Sequence, residues 1–344
     1  MGLRDEIGEQ PAVASRLLDE AGTDLDRLVA AVRGANPITH IVIAARGTSD
    51  HAATYAQYAI GHAARLPVGL ATPSLVTRYH TPPRFDGALV LGISQSGRSP
   101  DVVSVIGEAR RQGQPTGAIT NDPASPLAEA AEHVIDLRAG EEASVAATKT
   151  YSAELLVIAM LAARLTDERG FAEDLRRIPD ALARGLAFEH DAEAAAEAHR
   201  SMEEAVVLGR GFNLATALEW ALKLKELAYV HAQGYSTADF QHGPAASVNP
   251  GGHILAVCAP GPMLPELEET LRNLDAQRQS SILRVVADGA PAAGPAIRFD
   301  GSLPEWLSPL AAIVPIQLFC YHLARGKGLD FESPRGLRKV TLTE

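Results

Sequence analysis

Two stretches of this chain repeat each other at a fixed distance, and a duplication is the feature that most narrows what it can fold into. Apolar IVIAA, residues 41–45, runs into Arg46-Gly47-Thr48-Ser49 and a helical pattern; AVVLG, residues 205–209, runs into Arg210-Gly211-Phe212-Asn213 and another. The same offset of 164 residues lays the apolar stretch at 87–92 on that at 251–256, and Gly97 on Gly261. Strand-like runs alternate with helical ones in both halves: 41–45, 66–70, 88–93, 116–120 and 133–137, then 205–209, 253–258, 282–287 and 296–299. That alternation predicts an α/β chain of two tandem doubly wound, flavodoxin-like domains with parallel sheets, whose ligands sit beyond the strand carboxyl ends. At 344 residues the chain is also longer than one core usually supports. The expected division is 1–195, closing with linker helices, then 196–330, then a tail at 331–344.

The copies differ where chemistry would sit. In the first, the apolar run 89–93 leads into Ser94-Gln95-Ser96-Gly97-Arg98-Ser99 and a helix opened by Pro100, with Ser99 as its expected N-cap. Hydroxyls and freed backbone N–H groups at the positive end of a helix favour an anion, phosphate being the natural guess. An ordinary capped turn is the competing reading, since serine and glycine suit any such turn. The second copy has Cys258-Ala259-Pro260-Gly261-Pro262-Met263 there, and Phe212-Asn213 in place of Thr48-Ser49, so one phosphate site per chain is expected.

In the second copy, LATALEWALKLKELAYVHAQ (214–233) is apolar nearly all round and reads as one helix, yet Glu219, Lys223 and Glu226 fall at i, i+4 and i+7. They share one narrow face, which must pair internally or line a polar cavity unless it is a solvated salt-bridge face. A carboxylate beside an ammonium is what proton abstraction next to a carbonyl needs. His242, before Gly243-Pro244, sits in a turn where an imidazole could open a sugar ring or be merely exposed. The tail's Arg335, Arg338 and Lys339 read, on pattern alone, as solvated.

A formal charge of -11 argues against nonspecific nucleic-acid binding. Cys258 and Cys320 offer neither a disulfide framework nor a metal site. The first twenty residues carry acids where a signal peptide needs an apolar core, and no apolar run is read as membrane-spanning. A cytoplasmic protein is expected.

Several motifs in order, spread over nearly the whole chain, resemble the two-domain sugar isomerase (SIS) family: Glu6-Ile7-x-Glu9-Gln10-Pro11, GTS (47–49), SQSG (94–97), VAATK (145–149), LEWALKLKE (218–226), YVHA (229–232), QHGP (241–244) and PRGLRK (334–339). The chain is similar to the isomerase half of glucosamine-6-phosphate synthase and, more closely, to stand-alone SIS-type glucosamine-6-phosphate deaminases. The resemblance implies a sugar phosphate held by Thr48, Ser49, Ser94, Gln95, Ser96 and Ser99, with Ala147 in the sugar pocket. It implies Glu226 as the base moving a proton between C1 and C2, with Lys223 as its electrostatic neighbour. His242 would open the ring from the partner subunit of a homodimer. Lys339, whose counterpart forms an imine with the open sugar, and Arg335 would close over the pocket. No cofactor and no metal are implied, and neither nucleic acid nor membrane is an expected partner. Arg98, Ser99, Ala147 and Asp239 depart from the synthase pattern, so the substrate contacts are retuned. The expected reaction converts glucosamine 6-phosphate to fructose 6-phosphate and ammonia. A fructosamine-6-phosphate deglycase, another phosphosugar aldose–ketose isomerase and a sugar-phosphate-binding regulatory module are the alternatives.

Overall fold

A computed structural model describes residues 2–34, 38–166, 168 and 170–340. Residues 341–344 of the expected tail lie outside that set. Among the described residues, ten strands form two sheets of five, all pairs parallel. The first sheet contains β1 (His40–Ala44), β2 (Val68–Leu70), β3 (Ala88–Ile93), β4 (Thr116–Thr120) and β5 (His133–Asp136), ordered β2-β1-β3-β4-β5. The second contains β6 (Glu204–Gly209), β7 (His231–Ser236), β8 (His253–Cys258), β9 (Ser281–Ala287) and β10 (Ala296–Phe299), ordered β7-β6-β8-β9-β10. The two orders are the same topology, as a duplication requires.

One strand departs from the sequence reading. The helix expected over 214–233 stops at Ala228, where Tyr229 takes a left-handed conformation (φ 53°), and the chain turns into β7. The 164-residue offset places β2 on this segment, so the repeat carried the signal that the local apolar pattern obscured.

Packing divides the chain into two compact units that interleave along the sequence. One holds the second copy: residues up to Pro11, Ala143–Thr148 and Arg177–Leu337. The other holds the first copy: Ala12–Glu142, Lys149–Arg176 and the chain from Arg338. In the first-copy unit, Val90 and Ala118 of the sheet pack on Val102, Val105 and Ile106 of helix Pro100–Arg111. Gly92 is required there, because a Cβ would lie 2.7 Å from a Leu127 methyl and 2.9 Å from Ile106 Cγ1. In the second-copy unit, Leu208, Ile254, Ala256 and Val286 pack on Leu267 and Leu271 of helix Leu264–Arg278.

The stretch Glu305–Gly326 corrects the expectation that no run is long and apolar enough to span a membrane: it has 22 residues, and its best window has a mean hydropathy of 1.5. That window is 94% buried inside the protein, because it is the central helix of its unit. Trp220 of helix Leu214–Ala228 meets its Phe319 edge to face at 5.7 Å. Both cysteines are buried free thiols.

Candidate active site

In the first-copy unit the hydroxyl turn follows β3 directly. Gly97 has φ 61°, and a Cβ there would lie 2.0 Å from Ser125 Oγ, so no other residue fits this bend. The turn is fastened by Gly97 N–H donating to Ser94 Oγ (3.2 Å) and by Arg98 N–H donating to Ser96 Oγ (3.3 Å). The Gln95 carbonyl accepts from Asn121 N–H (3.1 Å). Ser99 occupies the N-cap position of helix Pro100–Arg111 as expected, but its hydroxyl makes no capping bond. Arg98 is exposed and pairs with Asp122 at 3.3 Å.

Thr48 and Ser49 open helix Thr48–Ala64 after Gly47 (φ 56°). Ser49 is buried, and its hydroxyl donates to Glu154 Oε1 at 2.7 Å, so its proton is directed at a carboxylate of the same unit. Just before this helix, Arg46 Nε donates to Asp101 Oδ2 at 2.6 Å. Asp101 is buried in the first turn of helix Pro100–Arg111, so this pair ties together the two turns that bear the hydroxyls.

The second-copy unit carries the charged stripe. Glu219 and Lys223 are both 0% exposed, whereas the Glu226 side chain keeps 21% of its surface. Lys223 Nζ lies 3.3 Å from Glu219 Oε1 and donates to Glu226 Oε2. Burial would push Lys223 down, but the charges of Glu219 and Glu226 and its bonds to them outweigh that and hold it above the usual lysine range. The ammonium is therefore a fixed positive charge, and Glu226 is the member of the triplet with access to solvent.

Tyr229, just past this helix, receives the tail. Arg335 N–H donates to the Tyr229 hydroxyl (2.9 Å), and the Arg335 guanidinium lies 4.2 Å from the ring centroid, a cation–π contact. The tail is also held through Glu332, which accepts from Leu3 N–H (2.9 Å) at the start of helix Leu3–Gly8. In the same unit, buried Glu6 accepts from Ala143 N–H (2.5 Å) and Ser144 N–H (3.2 Å), which anchors the segment bearing Ala147. His242 ends helix Thr237–Gln241 with an exposed ring that makes no hydrogen bond among the described residues. Lys339 belongs to the first-copy unit, where Nζ lies 2.8 Å from Glu142 Oε2.

A model of the SIS domain matches residues 36–164 and 200–285. The chain belongs to the SIS domain family. It is 32% identical to a Zymomonas mobilis glutamine–fructose-6-phosphate aminotransferase [isomerizing], covering 99% of this chain and 59% of that protein. A Gloeobacter violaceus protein of the same name is 35% identical over 98% of this chain and 58% of its own length. The chain thus spans less than two thirds of these curated relatives. Among solved structures, a Silicibacter pomeroyi protein named as a candidate phosphosugar isomerase matches with TM-score 0.86 at 34% identity, covering 96% of this chain and all of that one. Glucosamine-6-phosphate deaminase from Thermotoga maritima shares the fold, with TM-score 0.78 at 21% identity over 99% of each chain.

Within this SIS protein, the predicted residues gather in two places. Thr48, Ser49, Ser94, Gln95, Ser96, Ser99 and Lys339 lie in the first-copy unit; Ala147, Lys223, Glu226, His242 and Arg335 lie in the second-copy unit. Sequence reasoning missed Arg46, Asp101, Glu142, Glu154, Glu332 and Tyr229 as partners. Tyr229 and Glu6 stood inside quoted motifs without a role. The others are joined across 55 or more residues of chain, as for Arg46–Asp101 and Ser49–Glu154, and only folding reveals such pairs. Among the described residues, no group of three His, Cys, Asp or Glu could hold a metal ion.

Proposed function

We propose that this chain is a phosphosugar isomerase acting on a hexosamine 6-phosphate: it converts glucosamine 6-phosphate to fructose 6-phosphate with release of ammonia. The observation that carries the reading is the half-buried Glu226 carboxylate beside the wholly buried Lys223 ammonium. In the open-chain sugar, Glu226 takes the proton from C2 and the C1 oxygen gains charge, giving an enolamine that a nearby cation steadies. Returning the proton to C1, with an amine proton passing to the C1 oxygen, yields the 2-imine, and water cleaves it to the ketose and ammonia. Phosphate held at a distance from the reacting carbons orients them. The hydroxyl turn after β3 supplies that anchor.

His242 is proposed as the ring-opening group, contributed to the partner subunit of a homodimer; its exposed, unbonded ring suits a role completed by a second copy. Lys339 is proposed to leave Glu142 and engage the open sugar, and Arg335 to help hold the enolamine. The chain is proposed to work in the cytoplasm without a cofactor. The names of the curated relatives support an aminosugar substrate, and the name of the Silicibacter protein supports a phosphosugar isomerase.

Ammonia release from glucosamine 6-phosphate, galactosamine 6-phosphate and glucosamine tests this, with fructose 6-phosphate measured as product. Release from the first alone is expected. No ammonia from any of them, with interconversion of an unaminated aldose and ketose phosphate, would leave the isomerase reading and remove the deaminase.

A further inference from the structure

Each copy of the repeat places an arginine and a glycine directly after its first strand, Arg46-Gly47 and Arg210-Gly211. Each arginine reaches a carboxylate in the first turn of the helix that follows the third strand: Asp101 for Arg46, Glu266 for Arg210. The pairs differ in which nitrogens they use. Arg210 spends Nη1 on Glu266 at 2.5 Å and on Thr237 Oγ1 at 3.5 Å. Arg46 spends Nε on Asp101, and among the described residues neither of its Nη groups has a hydrogen-bond partner. The Arg46 side chain is 49% exposed, against 25% for Arg210. Asp101 is in turn fixed by its own bond from Val102 N–H at 2.9 Å.

The geometry points to Arg46 as a direct phosphate ligand, with Asp101 as the positioning residue that aims it; this rests on the proposed phosphosugar reading. A guanidinium held at Nε by a buried carboxylate presents its two Nη groups as a rigid fork, the arrangement that matches two oxygens of a phosphoryl group. The fork stands between the N-termini of helices Thr48–Ala64 and Pro100–Arg111, where the free hydroxyl of Ser99 and the helix dipoles favour the same anion. Ser49 directs its proton at Glu154, so the cradle gains from Arg46 a donor that its hydroxyl inventory overstates. The second copy has the corresponding arginine less exposed and held at Nη1, which separates the two uses of one position: a structural tie in the second copy, a tie with an open fork in the first.

Calorimetric titration of the whole chain with inorganic phosphate and with glucosamine 6-phosphate tests this on the parent, Arg46→Met, Arg46→Gln, Arg210→Met and Ser96→Ala. Arg46→Gln keeps a donor for Asp101 and so protects the fold if Arg46→Met does not fold. The expected result is phosphate affinity lower by about 10- to 100-fold in both Arg46 variants, the range of lost charge-assisted bonds, with Arg210→Met equal to the parent. In a turnover assay the Arg46 variants raise KM and leave kcat within about twofold, a split that general loss of structure does not produce. Parent-like phosphate affinity in a folded Arg46 variant, with Ser96→Ala weakened, overturns the inference and keeps the phosphosugar reading. A parent that binds neither phosphate nor sugar phosphate overturns both.

Discussion

Helices Thr48–Ala64 and Leu214–Ala228 stand at the same place in the two copies and end alike, on left-handed Arg65 (φ 55°) and Tyr229 (φ 53°). Their inner faces differ. Where the second helix has Glu219, Lys223 and Glu226, the first has Tyr55, Ala59 and His62. Where the first opens with Thr48-Ser49, the second opens with Phe212-Asn213, and Asn213 Nδ2 donates to Ser308 Oγ at 2.7 Å. The backbone thus tolerates either filling, and the copies have divided the work: hydroxyls at the helix start in one, a charged stripe toward the helix end in the other. Buried charge persists in the second because Lys223 lies against both Glu219 and Glu226.

The comparison breaks first at Lys223. Lys223→Met leaves Glu219 buried without its cation and should cost about 3–5 kcal/mol, read from urea unfolding. A loss below about 1 kcal/mol would mean that Glu219 is satisfied in the buried state without Lys223. Glu226→Gln keeps the size of the side chain and should lower turnover by about 10² or more while phosphate still binds; turnover near the parent's removes Glu226 as the base.

The paired glycines sharpen it further. Gly97→Ala drives a Cβ into the short side chain of Ser125 at a positive φ and should cost about 1–3 kcal/mol, with none of the rise in Tm expected of the parent on adding phosphate. In the second copy a Cβ at Gly261 would lie 2.2 Å from Glu305 Cδ, near the end of a longer side chain than that of Ser125, so Gly261→Ala should cost less than Gly97→Ala. Equal losses would show that the two turns are held alike.

The smallest effect lies at the ends of the sheets, where Asp136 and Asp300 correspond. Burial would raise Asp300, but its bonds from Arg184 and Ser302 outweigh that and hold it below the usual carboxylate range. A depressed folded value contributes stability that is present above the ordinary aspartate range and lost as pH falls through the lowered value. Asp300→Asn should therefore flatten the acid limb of a Tm-against-pH profile; an unaltered limb would remove that assignment.

Nine of the ten strands and both sheets were legible, because buried parallel strands announce themselves as short apolar runs. β7 (His-Ala-Gln-Gly-Tyr-Ser) escaped because it is an edge strand with an exposed, polar pattern, and because the helix before it ends on tyrosine rather than glycine. Glu219, Lys223 and Glu226 were legible as one face, since i, i+4 and i+7 is geometry internal to a helix. The roles of Lys339 and Arg335 came from resemblance alone, whereas ring opening was already one of the two readings of His242 in its turn. Lys339 against Glu142, Arg335 against Tyr229 and Ser49 against Glu154 join residues remote in sequence, and no periodicity encodes them.

The interleaving of the two units bears on how the chain is made. Emerging from a ribosome, residues 12–142 can collapse once 149–176 follow, so the first sheet has its partners early. Helix Leu3–Gly8 is synthesised before either sheet yet packs on Ser308–Gly326, and Gln10 Nε2 donates to Gln317 Oε1 at 2.8 Å. Its docking waits for some three hundred further residues. This early helix is among the last parts to be fixed, and during that interval its apolar Leu3 and Ile7 are what a holding chaperone would meet.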